Sequence, residues 1–407
     1  MHYFEKYNYL TDLYHQKEGT YNLTDFNVQI SNYNFKSSDA DILSGGTKYI
    51  CKRHNMEFDG LEKESLSDLE NETLFPPDIK NSFNSDFIYS VVKPQGYKKS
   101  DKAILLFHGF NEKKWDKYLP WAVDIAEKMN RPVILFPIAF HMNRADERWS
   151  DREFMYSIAK KRMQSNPSNS QTSYVNAAIS LRLEAEPQRF FWGGLQTFYD
   201  TINLCNSIKS GKHQDFSENT DIDILSYSIG SFLSLILLMA DSENLFSDSR
   251  LFCFCGGATF DRMYAASKYI MDNQSTVKMQ SFYSTQLNCN FIAEKRLSHY
   301  LSDEHPEGFC FKKVLNYHHY LPEREARIKE ISSRISALAL EKDDVIPPDE
   351  VLNTLRGKYR SIPTKVSISD YPFPYSHITM FNLMPRYANE VDLAYNDFIN
   401  RVISFLG

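Results

Sequence analysis

The apolar positions of this chain fall into short, nearly unbroken runs separated by segments of helical spacing. Ala103–Phe107 (AILLF), Val133–Ile138 (VILFPI), Leu251–Cys255 and Ile335–Leu340 (ISALAL) have strand length and the pattern of strands covered on both faces. Phe87–Val92 reads as another strand, and Lys365–Ser369 alternates as a last one. Between them, Trp115–Met129 sets Trp115, Leu119, Ala122, Ile125, Ala126 and Met129 on one helical side. Asn389–Phe405 does the same with Val391, Ala394, Phe398 and Val402, and Gly193–Ile208 is a further helix. Strand–helix–strand units of these lengths predict an α/β fold with a mostly parallel central sheet flanked by helices.

Three stretches break that rhythm. Residues 1–85, rich in Asn, Asp, Ser and Tyr, read as an amino-terminal extension packed on a main unit of residues 86–407. Within the extension, Asn27–Phe35 alternates as an edge strand and Leu61–Leu74 suits a short acidic helix. Two excursions, at about 140–191 and 259–334, are too long for ordinary connections and are either a cap over a site or surface loops.

Composition narrows the function classes. With 407 residues and a net charge of −6, nothing points to nucleic acid or an anionic membrane surface. Mean hydropathy of −0.46 is that of a soluble globular protein. The start, MHYFEKYNYL, lacks the basic-then-apolar pattern of a secretory signal. The six cysteines (Cys51, Cys205, Cys253, Cys255, Cys289, Cys310) are scattered without metal-ligand spacing. The expectation is therefore a reduced, cytoplasmic protein with no metal and no cofactor.

Chemistry concentrates in Asp221–Ala240, DIDILSYSIGSFLSLILLMA. A short apolar strand there runs into an apolar helix too short to span a membrane. At the junction sits Ser226-Tyr227-Ser228-Ile229-Gly230, a serine flanked two residues on either side by small ones. That is what a sharp strand-to-helix turn needs if it is to push the central side chain outward. On its own such a serine is also consistent with an ordinary turn residue.

Other motifs stand in the matching order: His108-Gly109-Phe110 after a buried strand, Glu341-Lys342-Asp343-Asp344-Val345-Ile346-Pro347 after another, and a late Ser376-His377. Together with the Ser228 turn, they resemble the α/β-hydrolase superfamily in its serine esterase/lipase-like branch, over roughly Phe87 to Gly407. Ser226 departs from the commoner glycine, and the first excursion exceeds the minimal fold. The resemblance implies Ser228 as nucleophile, His377 as base and Asp343 as the acid that orients it, with Asp344 capping the loop or the helix beginning near Asp349. It implies an oxyanion hole from the N–H groups of Phe110 and Ile229, and a bracing rather than catalytic His108.

Arg144, Arg148 and Arg152 could reach a pocket mouth, but their acidic neighbours favour a solvated, self-compensated helix face. The resemblance implies cleavage of an ester, thioester or amide of a small-molecule acyl substrate. A non-catalytic binding module of the same fold, or an acyltransferase with the same triad, are the alternatives. Phe154, Tyr174, Phe190, Trp192, Phe282 and Tyr283 could line a roofed pocket. The charges interleaved with them suit soluble short-to-medium acyl substrates better than a lipid surface.

Overall fold

The computed structural model describes residues 1–60, 74–288 and 294–407. Its core is a nine-stranded sheet in the order β1-β2-β5-β7-β6-β8-β9-β10-β11. The strands are β1 (Gly19–Leu23), β2 (Val28–Lys36), β5 (Asp86–Pro94), β6 (Ser100–Phe107), β7 (Val133–Leu135), β8 (Phe216–Tyr227), β9 (Leu251–Phe254), β10 (Ile335–Leu340) and β11 (Lys365–Ser369). From β7 to β11 neighbouring strands run parallel, whereas β5 is antiparallel to both β7 and β2. A separate hairpin pairs β3 (Lys48–Cys51) with β4 (Met56–Asp59). This is the architecture of an α/β-hydrolase fold, a mostly parallel central sheet flanked by helices, to which residues 1–85 contribute the strands β1 and β2.

The apolar runs are continuous because both faces of the sheet are covered. Ala103, Leu105 and Phe107 of β6 join one core cluster, and Ile104 and Leu106 the other. In β10, Ile335, Ala337 and Ala339 face the first cluster, Leu338 and Leu340 the second. The helices Arg189–Lys209 and Ile229–Ala240 pack on the first face, and Tyr3–Leu13, Leu119–Met129 and Ala388–Leu406 on the second. At about 25 cal/mol per Å² of buried apolar surface, these two interfaces dominate the stability of the sheet.

Several boundaries differ from expectation for local reasons. The strand expected at Asn27–Phe35 is β2, but it is not an edge, because the largely exposed β1 pairs outside it. The Val133–Ile138 run leaves the ladder after Leu135, and Pro137, just beyond, has no N–H to donate. The helix expected from Trp115 begins at Leu119, after a turn in which Tyr118 and Leu119 N–H both reach the Trp115 carbonyl. The acidic helix expected at Leu61–Leu74 lies, but for Leu74, outside the described residues. Among the described residues, no helix is long and apolar enough to cross a membrane.

The two excursions dock on each other. Arg162 donates through Nε and Nη2 to the two carboxylate oxygens of Asp272, Nη2 reaching Oδ1 at 2.9 Å. Asn169 and Thr172 donate to the same carboxylate at 2.9 and 3.1 Å. Arg162 and Asp272 are both buried. Arg162 also pairs with Glu184 at 2.5 Å, so removing Asp272 would weaken this network without leaving the guanidinium alone, whereas removing Arg162 would leave the Asp272 carboxylate buried without its cation.

Candidate active site

β8 ends at Tyr227 and the next helix begins at Ile229. Ser228 between them has φ 56° and ψ −122°, a conformation costing about 1–3 kcal/mol for a residue with a Cβ. Packing sustains it. The departing helix crosses β6 so closely that a Cβ on Gly230 would lie 2.8 Å from the carbonyl oxygens of both Phe107 and His108. Two residues before Ser228, the buried Ser226 places its Oγ 2.9 Å from Ser231 Oγ.

Three side chains from three strand ends converge here. His377 Nε2 lies 2.8 Å from Ser228 Oγ, and His377 Nδ1 lies 2.8 and 3.0 Å from the two carboxylate oxygens of Asp343. Asp343 Oδ1 also accepts from the N–H groups of Val345 and Ile346, at 3.0 and 2.8 Å. A carboxylate so placed accepts the hydrogen bond from Nδ1–H, leaving Nε2 as acceptor for the serine hydroxyl. All three residues are buried. Asp344 is exposed and forms none of these bonds. Among the described residues its side chain makes no hydrogen bond that would cap the loop, and the helix Pro348–Leu355 has Pro347 at its N-cap with no side-chain cap.

The loop that presents His377 is pinned from two directions. The Tyr227 hydroxyl donates to the His377 carbonyl while its ring stacks on the imidazole, and Lys117 Nζ donates to the Ile378 carbonyl at 3.1 Å. Lys117 also pairs with Glu112 at 2.6 Å. Glu112 accepts from the Tyr118 hydroxyl at 3.0 Å, and Tyr118 Oη accepts the Gly109 N–H at 2.8 Å. Nothing in the sequence marked Glu112, Lys117 and Tyr118, because their role depends on a loop more than 250 residues later.

The same brace fixes residues 108–112. His108 Nε2 accepts from the Ile138 N–H at 2.9 Å, so Nδ1 carries the proton and donates to the Gly109 carbonyl at 2.7 Å. Burial, reinforced by nearby His141, holds the His108 pKa well below its ordinary value. It is a neutral strut. The Phe110 N–H has no acceptor among the described residues. Ile229 opens its helix, where N–H groups lack intrahelical partners. Both residues line the cavity that contains Ser228. The Asn111 side-chain amide donates to the carbonyls of Val175 and Tyr269, at 3.1 and 2.7 Å, one in each excursion.

The Ser228 cavity is walled chiefly by apolar groups, among them Phe260, Met263, Met271, Met279 and Ile346. A second, larger cavity shares Phe110, Phe190 and Ile229 with it and is walled by Trp149, Leu183, Phe198, Leu233 and Phe311, among others. It holds about 910 Å³ of atom-free space, open solvent at its mouth included. His141 on its wall donates through Nδ1 to the Ala139 carbonyl, while its buried Nε2 has no partner among the described residues.

Of the aromatic residues expected to line a pocket, Phe190 borders both cavities. Trp192 and Tyr283 are buried, and Tyr174 is exposed. Phe154 and Phe282 pack, partly buried, against core clusters. The arginine expectation needs correction. Arg144 is fully buried, pairs with Asp200 at 2.7 Å and bonds to Asn84 and the Pro137 carbonyl, reaching neither solvent nor a pocket mouth. Arg148 pairs with Asp146 and Arg152 lies over Tyr174. Spacing of the cysteines alone pointed away from a metal, yet the fold surrounds Cys51 with His54, His299 and His305.

Over residues 1–407 the chain matches a model described as "Family of unknown function (DUF6051)". No curated protein matches the sequence. Among solved structures it is similar to a cold-adapted esterase from an Arctic intertidal metagenomic library (TM-score 0.42, 10% identity, 97% of this chain and 100% of that one). It is also similar to a thermostable esterase from Pseudomonas putida (TM-score 0.39, 10% identity, 79% and 80%). A third is a fungal esterase from Rhizomucor miehei (TM-score 0.40, 12% identity, 79% of each chain).

Proposed function

The chain belongs, over its whole length, to this family of unknown function (DUF6051), and with no activity to inherit from it we propose, from the site itself, a serine hydrolase that cleaves carboxylic esters. The observation that carries this reading is the unbroken hydrogen-bonded line Ser228–His377–Asp343 beside an apolar cavity. In the reaction, His377 Nε2 takes the Ser228 proton as Oγ attacks the substrate carbonyl, and Asp343 stabilises the resulting imidazolium. The N–H groups of Phe110 and Ile229 receive the charge that develops on the carbonyl oxygen. His377 then returns its proton to the leaving alcohol; in the second half, His377 Nε2 takes a proton from the water that attacks the acyl carbon and gives it to Ser228 Oγ as the carboxylic acid leaves.

The larger cavity, continuous in its lining with the Ser228 cavity, suits an apolar acyl chain of short to medium length. A fluorophosphonate probe should label the protein, and Ser228→Ala should abolish labelling without changing the circular dichroism spectrum. Labelling that persists in Ser228→Ala refutes the assignment. On p-nitrophenyl esters, activity should rise to medium chain length and then fall. A rate that instead jumps once long-chain substrate passes its solubility limit would identify an interfacial lipase.

A further inference from the structure

The hairpin β3–β4 and the second excursion meet at a cluster remote from the proposed nucleophile in both sequence and role. Cys51 ends β3, His54 lies in the hairpin turn, His299 is on the short helix Lys295–Tyr300, and His305 precedes the helix Pro306–Leu315. Each offers one ligand atom, Cys51 Sγ, His54 Nδ1, His299 Nε2 and His305 Nε2, and the four atoms all lie within 4.8 Å of one another. We propose that Cys51, His54, His299 and His305 bind one zinc ion in a closed tetrahedral site that clamps the amino-terminal hairpin to the second excursion.

Four of the six edges between ligand atoms have the length a tetrahedron requires, and the other two, Cys51–His299 and His54–His305, lie within 4.8 Å. Zinc bonds of about 2.0–2.1 Å to nitrogen and 2.3 Å to sulfur give ligand–ligand edges of about 3.3 Å for N···N and about 3.6 Å for S···N. The structure has N···N edges of 3.2 Å (His54–His299) and 3.1 Å (His299–His305), and two S···N edges of 3.5 Å (Cys51–His54 and Cys51–His305).

A proton network accounts for the cluster less well. His305 Nδ1 lies 3.0 Å from the Glu307 carboxylate, which accepts the hydrogen bond from Nδ1–H, so His305 Nε2 presents a lone pair. Four contacts then share at most three protons, one each on Cys51, His54 and His299, and some atoms meet without one. A central cation satisfies all four lone pairs at once, with the Cys51 thiol giving up its proton on binding. The Glu307–His305 contact is also the outer support that metal-binding histidines use to fix ring orientation. Glu307 is held in turn by Tyr199 at 2.6 Å and Arg53 at 3.4 Å. Four protein ligands leave no open position, which makes the site structural rather than catalytic, and a thiolate with three imidazoles selects zinc over oxygen-seeking cations. Because Glu307 also lines the larger cavity, the clamp touches the wall of the proposed acyl pocket.

The full-length chain, purified without chelator from zinc-supplemented culture, should carry about one zinc per chain by elemental analysis. Cobalt(II) exchanged into the site should show tetrahedral d–d absorption with a thiolate charge-transfer band. Cys51→Ser should remove that band and the bound zinc, while Ser228→Ala keeps both. Should Cys51→Ser fail to fold, Glu307→Gln serves instead: it should weaken zinc affinity about 10- to 100-fold with the fold intact. Zinc well below one per chain with no thiolate band on cobalt addition overturns the proposal, and so does metal binding unchanged in both variants. These readouts do not depend on hydrolase activity.

Discussion

Replacing Asp343 by asparagine changes one atom and should remove most of the proposed catalysis. In the structure, Asp343 Oδ1 accepts from the N–H groups of Val345 and Ile346. An asparagine must keep its carbonyl oxygen there, because its amide would otherwise set donors against donors. Its NH₂ group is then forced toward His377 Nδ1, 2.8 Å from the present Oδ2. The imidazole must accept at Nδ1 and carry its proton on Nε2, 2.8 Å from the Ser228 hydroxyl it should deprotonate. Trapping the wrong tautomer lowers kcat on the order of 10⁴-fold, or about 5 kcal/mol of transition-state stabilisation at 1.36 kcal/mol per decade. Second-order rates of fluorophosphonate labelling and of p-nitrophenyl ester hydrolysis would measure it, with thermal unfolding as the check on the fold. The exposed Asp344→Asn should stay within about threefold of the parent, as surface changes usually do. A folded Asp343→Asn that keeps a tenth of the activity, or an Asp344→Asn that proves the more damaging, would refute the assignment.

Two further outcomes follow from the packing and the buried titrations. Gly230→Ala would place a methyl 2.8 Å from two backbone carbonyl oxygens; it should cost about 1–3 kcal/mol in urea unfolding and slow probe labelling by tilting the Ser228 turn, and an unchanged midpoint would refute the close crossing. His141 and His213 are held neutral by burial, their pKa values lowered to about 4 from an ordinary 6.5. Below pH 6.5 the unfolded chain takes up protons that the folded chain refuses until about pH 4, so stability is full above 6.5 and drains as pH falls toward 4, by roughly 3 kcal/mol for each histidine. Equal unfolding free energies at pH 7 and pH 5 would show that these imidazoles are not buried neutral.

What could be read from the sequence depended on how far apart the determining residues lie. The strands announced themselves because Ala103–Phe107 and Ile335–Leu340 are covered on both faces, so no polar alternation interrupts them. The Ser228 turn was visible because its requirements, a small residue on either side, are met within five positions. Asp343 could be favoured over Asp344 by its spacing from Pro347, and the fold puts it within hydrogen-bond distance of His377. β1 escaped notice because its mostly exposed pattern carries no apolar signal. Arg144 misled because its burial is made tolerable by Asp200 and Asn84, both about 60 positions away. The histidines around Cys51 were harder still, since His299 and His305 stand about 250 positions beyond the hairpin.

The two bonds of the Asn111 side chain have an evolutionary corollary. Both end on main-chain oxygens, those of Val175 and Tyr269, which every amino acid possesses. Side chains at 175 and 269, and around them, can therefore be exchanged without breaking the tie between the two excursions and the loop carrying Phe110. Point mutations in the two excursions can accumulate at these positions while the loop keeps its place. Asn111 itself has no such freedom: its backbone sits at φ 59°, a conformation asparagine tolerates better than most residues, and its one amide group must serve both carbonyls.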